Sequence, residues 1–313
     1  MAEAARRHGN GDPKGAALAL FRALECRRED LRSQSLLLRL LVENPAIFPP
    51  RPPAPEPEPA LVSVVACSID DGKLAGLRSS CERAFGAWPW ELVAIRDARS
   101  LCEGMARGFA ATRGELVVFC HDDIAFLSSS LGPALSRALA CADVVGVVGT
   151  TRLAGPAFAW AGKAFTRGFV AEPSRAGHGV DLVVYNPAPG ITAGIVALDG
   201  LFIAARRETV SALGFDERTF DGFHLYDMDF CWRAHRSGRR LAVTSEIVVR
   251  HDSTGGFDAR WEAYAARFLE KHPDVCGERA ENFMSRLGFP GERALVEFCA
   301  RLDEAGRQAF PAP

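Results

Sequence analysis

Three polar residues, His121, Asp122 and Asp123, follow directly on the apolar run Val117–Cys120 in a chain of 313 residues. Gly114 and Glu115 precede that run, which predicts a short interior strand ending in charge. Open α/β sheets bind ligands beyond the carboxyl ends of their strands. Two adjacent carboxylates and an imidazole at such an end can hold a divalent cation, because hard cations take oxygen ligands. A solvated turn is the plain alternative, since Asp is common in turns. A second constellation is His224, Tyr226, Asp227 and Asp229, set just before Phe230, Cys231, Ala234 and Gly238. The apolar spacing and the glycine predict a short helix and its stop, with the acids in its first turn. The helix dipole favours an acid there, which accounts for one carboxylate more readily than for the whole group. Asp199-Gly200 interrupts the apolar run Leu198–Ala205. A glycine there marks close backbone approach and a buried Asp needs a partner, so Asp199 is expected to face a cleft; a strand-edge bulge is the alternative. His251 closes a further apolar segment, Leu241–Val249, and Trp160 offers either a sugar-stacking face or a small hairpin core.

These segments, in this order, resemble the inverting nucleotide-sugar glycosyltransferases of family 2. The matching stretches are VSVVACS (Val62–Ser68), FCHDD (Phe119–Asp123), LDGLFIAARR (Leu198–Arg207), GFDERTFDGFHLYDMDFCWRA (Gly214–Ala234) and VVRHDS (Val248–Ser253). The His121-x-Asp123 turn is similar to that of a prokaryotic subgroup with His in place of the first Asp. The resemblance implies a GT-A fold, a Rossmann-like mixed sheet flanked by helices. It implies transfer of a sugar from a nucleoside diphosphate to an acceptor hydroxyl of a glycan, lipid or protein-linked chain, as in cell-envelope polysaccharide synthesis, with Mn²⁺ or Mg²⁺. By the same resemblance Asp227 is the catalytic base. Asp123 and His251 hold the metal, and Asp122 contacts ribose or metal. Ser68, Asp70 and Asp97 become candidate nucleotide contacts, with ordinary turn formation as their alternative. Asp199, His224, Asp229 and Trp160 are candidates for the donor sugar or acceptor. Two departures stand out: Tyr226 replaces the Glu that many members carry, and Ala106 falls where the family often has Asn.

The carboxylate roles answer a chemical need. In an inverting displacement one base removes the acceptor proton while the departing diphosphate is neutralised. A cation meets the second requirement as a Lewis acid and clamp. A sugar nucleotidyltransferase would need a Gly-rich loop after the first strand, where this chain has SIDDGK. A metal-dependent phosphohydrolase could use His121, Asp122, Asp123 and His251, but two metals usually need a denser set. A non-catalytic sugar-nucleotide-binding scaffold would not need both HDD and YDMD.

Composition bounds the rest. With 48% hydrophobic residues the chain can bury a substantial core, and a formal charge of −2 offers no basic field for nucleic acid. Nine cysteines without a CxxC pair suggest reduced thiols. No run approaches the ~18 apolar residues of a membrane span, and MAEAARRHGNGDPKG lacks a signal-peptide core. The expectation is a cytoplasmic protein, with peripheral contact at the inner membrane face left open.

Along the chain, four parts are expected. Residues 1–44 form a helical appendage resembling a single tetratricopeptide-like hairpin, whose stripe of Leu18, Phe21, Leu24, Leu36 and Leu40 must be buried by a partner, a second copy or the main domain. Residues 45–60 are a Pro-rich spacer. Residues 61–272 are the catalytic domain, with Thr151–Val196 irregular. Residues 273–313 are a C-terminal extension, with helices near Glu278–Leu287 and Gly291–Gln308.

Overall fold

The computed structural model describes residues 2–51, 55–253 and 256–310, so residues 52–54 of the Pro-rich stretch lie outside it. Three helices come first: α1 (Ala2–Gly9), α2 (Pro13–Cys26) and α3 (Leu31–Glu43). Asp12 accepts the Gly15 amide at 2.8 Å and Pro13 needs no amide partner, which together fix the start of α2. Asp30 caps α3 through the amides of Arg32 and Ser33.

The charge-free segments VSVVAC and LVVFC become β1 (Val62–Cys67) and β3 (Leu116–Cys120), side by side and parallel. Between them in sequence run α4 (Asp71–Phe85), β2 (Trp90–Ile95) and α5 (Leu101–Ala111). The chain continues through β4 (Ile124–Phe126), α6 (Leu131–Cys141), β5 (Val144–Gly146), β6 (Val148–Thr150), β7 (Thr166–Pro173), β8 (Val180–Asn186), β9 (Ile191–Ile195), β10 (Ala197–Leu198) and β11 (Phe202–Arg206). It ends with α7 (Arg207–Leu213), α8 (Tyr226–Arg236), β12 (Leu241–Thr244), β13 (Val249–His251), α9 (Ala259–Lys271), β14 (Ser285–Phe289) and α10 (Glu292–Ala309). The main sheet has the order β2-β1-β3-β11-β5-β12-β9, with β11 antiparallel to both its neighbours. This is the mixed α/β sheet flanked by helices that the resemblance implies.

A second sheet carries the path β10-β6-β7-β13-β4, with β8 on β7 and β14 on β8. The chain passes between the sheets within three apolar runs. Val144–Val148 divides at Val147, Leu198–Ala205 divides at Asp199–Leu201, and Leu241–Val249 divides at Ser245–Val248. Each crossing brings the next residues to the same end of the main sheet. Two expectations are corrected here. Thr151–Val196 is not irregular throughout, because β7 and β8 pair as a hairpin whose turn uses Gly177 and Gly179 at φ of 84° and 81°. The segment expected as a helix near Glu278–Leu287 ends instead in strand β14, whose backbone completes the edge of β8.

Two apolar cores result. The first lies on both faces of the main sheet and buries Phe119, Phe202 and Phe230, each contributing about 1.5–3 kcal/mol. The second joins α2, α3 and α10 to the hairpin, where Leu20, Phe21, Leu24, Leu37 and Leu40 meet Leu182, Phe298 and Leu302. The N-terminal stripe is thus covered by the chain itself: Phe21, Leu24 and Leu40 are each less than 5% exposed. No helix among the described residues is long and apolar enough to cross a membrane.

Candidate active site

Strand pairing assembles the site. In β4 and β13, Phe126 pairs with Val249, Ala125 with Arg250 and Ile124 with His251, which sets His251 opposite the residue after Asp123. The Asp252 amide donates to the Asp123 carbonyl at 2.9 Å and locks that register. On the other side β11 runs antiparallel to β3, and the His121 amide donates to the Leu201 carbonyl at 3.2 Å. The HDD turn therefore lies between His251 and the Asp199–Leu201 crossing.

Three donor atoms converge there. His121 Nδ1 lies 3.3 Å from His251 Nε2, His251 Nε2 lies 3.3 Å from Asp123 Oδ1, and His121 Nδ1 lies 4.0 Å from Asp123 Oδ1. Hydrogen bonding to His251 holds the Asp123 carboxyl well below the ordinary carboxylate range, against its burial. Burial works to lower His251, but its bond to Asp123 and the charges of Asp199 and Asp123 hold it above the usual imidazole value. His121 is lowered, by burial and then by His251. Two imidazole nitrogens and a carboxylate oxygen directed at one point suit a divalent cation, and three protein ligands leave positions for water or substrate. The resemblance assigns Asp123 and His251, and the residue types alone place His121 with the two carboxylates; the fold brings His121, Asp123 and His251 together and leaves Asp122 out of the trio.

Asp227 faces the same crossing from α8. Its Oδ2 accepts the Gly200 amide at 2.9 Å, and the neighbouring Tyr226 hydroxyl donates to the Gly200 carbonyl at 2.7 Å. Only glycine fits between them, since a β-carbon at Gly200 would sit 2.6 Å from the Tyr226 oxygen and 2.8 Å from Asp227 Oδ2. Leu225 enters α8 at φ 64°, a left-handed conformation costly for a branched residue and typical of strain held at functional turns. Burial, with the nearby Asp199 charge, pushes the Asp227 carboxyl up to about 7. Asp199 itself is outside the strands, and its Oδ1 accepts the Leu201 amide at 3.1 Å.

Beside the HDD turn, at the carboxyl ends of β1, β2 and β3, opens a cleft of about 280 Å³. Ile69, Ile95, Ala98, Leu101 and Phe223 form its apolar part, with His121, Asp122 and Asp123 at its polar end. Buried Ser68 is in its wall, held by Asp70 through its hydroxyl at 3.0 Å. Asp70 and Asp97 are engaged elsewhere: Asp70 caps α4 through the Gly72 and Lys73 amides, and exposed Asp97 pairs with Arg107 at 2.6 Å. Neither lines the cleft. Sequence reasoning missed Lys73, whose ammonium lies 3.4 Å from Asp123 and 3.8 Å from Asp122. A basic residue in the first turn of the helix after β1 was the available signal. It also missed Ile69 and Phe223, which are 86% and 54% exposed despite their apolar side chains.

The remaining candidates fall outside this group. Asp229 turns away and is saturated by Lys271 Nζ at 2.6 Å, Arg233 Nε at 2.8 Å and His272 Nε2 at 2.9 Å. His224 packs near Tyr264 of α9, with ring centroids 6.2 Å apart. Trp160 packs with tilted rings against Trp261 at 5.3 Å and Phe257 at 6.0 Å between centroids.

No curated protein sequence matches the chain. Among solved structures, protein A197 from STIV aligns at 11% identity and TM-score 0.37, covering 62% of this chain and 86% of its own. A mannosyltransferase from Pyrobaculum calidifontis, solved with GDP-Man and Mn²⁺, aligns at 14% identity and TM-score 0.43, covering 94% of this chain and 84% of its own. GalNAc-T7, solved with UDP, GalNAc and Mn²⁺, aligns at 11% identity and TM-score 0.46, covering 68% of this chain and 48% of its own. The sequence itself matches the model of the Glycosyltransferase like family over residues 87–272, more than half of the chain and inclusive of the HDD turn, Asp199, Asp227 and His251. The chain belongs to that family and is a glycosyltransferase.

Proposed function

We propose that the protein transfers a sugar, with inversion, from a nucleoside-diphosphate donor to an acceptor hydroxyl, using a divalent cation held by His121, Asp123 and His251. The observation that carries this reading is the juxtaposition of that donor trio with Asp227 across the Asp199–Leu201 crossing. When bound, the cation supplies Lewis-acid neutralisation of the diphosphate. Two imidazoles and one carboxylate favour Mn²⁺ over Mg²⁺, which prefers an all-oxygen shell.

The chain's own groups do the rest. Asp227, with a pKa near neutrality, takes the proton from the acceptor hydroxyl, and the Gly200 amide and Tyr226 keep its carboxylate oriented. Ile69 and Phe223 offer apolar surface to the nucleobase beside Ser68, and Lys73 offers a second positive charge to the diphosphate. Among the described residues one cluster of three metal-type donors is present, which supports this reading over a two-metal phosphohydrolase. The acceptor belongs to a glycan, lipid or protein-linked chain, and delivery at the inner membrane face by peripheral contact fits the reading.

Thermal shift and calorimetry with UDP-, GDP-, dTDP- and CMP-sugars, with Mn²⁺ and with chelator, test it. One nucleotide series should stabilise the protein by about 2.7 kcal/mol at a hundred times its Kd, and only with cation. Equal affinity with Mn²⁺ and with chelator would remove the cation from the donor site. A product retaining the donor's anomeric configuration would remove the single displacement.

A further inference from the structure

The HDD turn has a second side. Away from its histidine it borders a cleft of about 490 Å³ beside α4, where Lys73, Arg83 and Arg250 face Asp122 and Asp123. Lys73 stands in the first turn of α4, and its amide donates to the capping Asp70 at 3.0 Å. Its backbone is therefore fixed, while its side chain stays 47% exposed with room to move. The ammonium lies 3.4 Å from Asp123 Oδ2 and 3.8 Å from Asp122 Oδ1. Among the described residues no other Lys or Arg pairs with either carboxylate, and Arg250 is taken by Asp252 and Glu292.

Asp123 is thus shared between two positive groups. Its Oδ1 faces the histidines, 3.3 Å from His251 Nε2, and its Oδ2 faces the ammonium. A divalent cation on one oxygen and an ammonium on the other repel each other across a single carboxylate. Water screens that repulsion only in part, since Asp123 is 10% and Asp122 19% exposed. A diphosphate reverses the balance. Its oxygens attract both positive charges, and an ammonium on a flexible four-carbon stem can leave the carboxylates for them.

We propose that Lys73 couples the two ligands: it opposes a divalent cation that arrives alone and favours one that arrives with a nucleoside diphosphate. The proposal rests on the donor reading above and goes beyond it, because a simple phosphate contact would leave the cation's own affinity untouched. Linkage makes the effect reciprocal, so whatever Lys73 adds to the hold of the nucleotide on the cation it adds equally to the hold of the cation on the nucleotide.

The full chain is titrated with Mn²⁺ alone, followed by EPR, and then with UDP, GDP and dTDP by calorimetry at saturating Mn²⁺. Lys73→Gln, at a half-exposed position that leaves the fold intact, should bind Mn²⁺ alone at least about threefold more tightly than the parent. The same variant should bind the preferred diphosphate at least about fivefold more weakly. Lys73→Arg keeps the charge and should stay within about twofold of the parent for Mn²⁺. Arg83→Gln removes a charge from the same cleft, but Arg83 bonds to Ser79 and not to the turn, so both affinities should stay within about twofold. An unchanged or weaker Mn²⁺ affinity in Lys73→Gln would reduce Lys73 to an ordinary phosphate contact and overturn the proposal with the donor reading intact. An equal tightening in Arg83→Gln would overturn it too, by assigning the effect to net charge. A parent that binds no Mn²⁺, or none of the three diphosphates with it, would instead fell the donor reading and this proposal with it.

Discussion

Asp123 and Asp229 each sit beside a histidine and a lysine, yet the two clusters are built differently. Around Asp229 the contacts from Lys271, Arg233 and His272 run from 2.6 to 2.9 Å, and the carboxylate is 1% exposed. Around Asp123 the contacts from His251, Lys73 and His121 run from 3.3 to 4.0 Å, and the carboxylate side chain is 10% exposed. The first cluster is closed by the protein's own charges and ties α8 to α9. The second directs its donors at a common point beside a cleft. A saturated cluster holds the fold, whereas a convergent but looser one has the geometry a cation would need, although both are read from the same residue types.

Substitutions can break this distinction. Asp229→Ala should have the largest effect, about 3–5 kcal/mol of stability in denaturant unfolding, because it strands Lys271 and Arg233 near a buried site. Turnover per folded molecule should persist. Normal stability in this variant would show that the closed cluster holds nothing.

Asp227→Asn comes next. With turnover measured on the best donor, kcat should fall roughly 10²-fold or more while donor affinity changes little. Near-normal turnover in the folded variant would move the base elsewhere.

A smaller effect is expected in the open cluster. His121→Ala, Asp123→Ala and His251→Ala should each weaken cation-dependent nucleotide binding by at least about tenfold in calorimetry. Acceptor binding should be spared. If His121→Ala behaves like the parent while the other two do not, the cation is held by two protein ligands.

The mildest contrast is in pH. Asp227 must be ionised to act, so turnover should rise as pH passes upward through about 7. Its folded pKa lies above its unfolded value of 3.8, so the native state holds the proton more tightly. Its stability contribution is therefore present at acid pH and lost as pH rises from about 4 to about 7. Relative to the parent, Asp227→Asn should become more stable over that window in thermal unfolding. A constant difference across pH would return Asp227 to an ordinary acid.

Much of this was legible in the chain. Apolar runs ending in charge located β3 and the turn after it, and His251 stood out at the end of a similar run. What the sequence hid was which strands belong to which sheet. Period and composition are alike for one long strand and for two short ones joined by a crossing, so the Asp199-Gly200 interruption reads as a break within one run and not as a passage between two sheets. The same blindness covered Asp70 and Asp97, since an Asp at a strand end caps a helix or pairs with a nearby Arg as readily as it meets a nucleotide. By residue type alone Asp229 reads like Asp227, and only the fold brings Lys271 and His272 onto it, from 42 and 43 residues downstream.

The second core also sets a schedule for the chain. Arg22 of α2 donates to the carbonyl of Ala309 in α10 at 3.3 Å, across 287 residues of sequence. On a ribosome the N-terminal helices emerge early with their leucine stripe uncovered, while α10 is not yet synthesised. At the usual pace of about 5–20 residues per second that interval is roughly 15–60 seconds. During it the stripe is a substrate for chaperones and a route to aggregation, and the non-local closure that ends it is the kind of contact that slows folding.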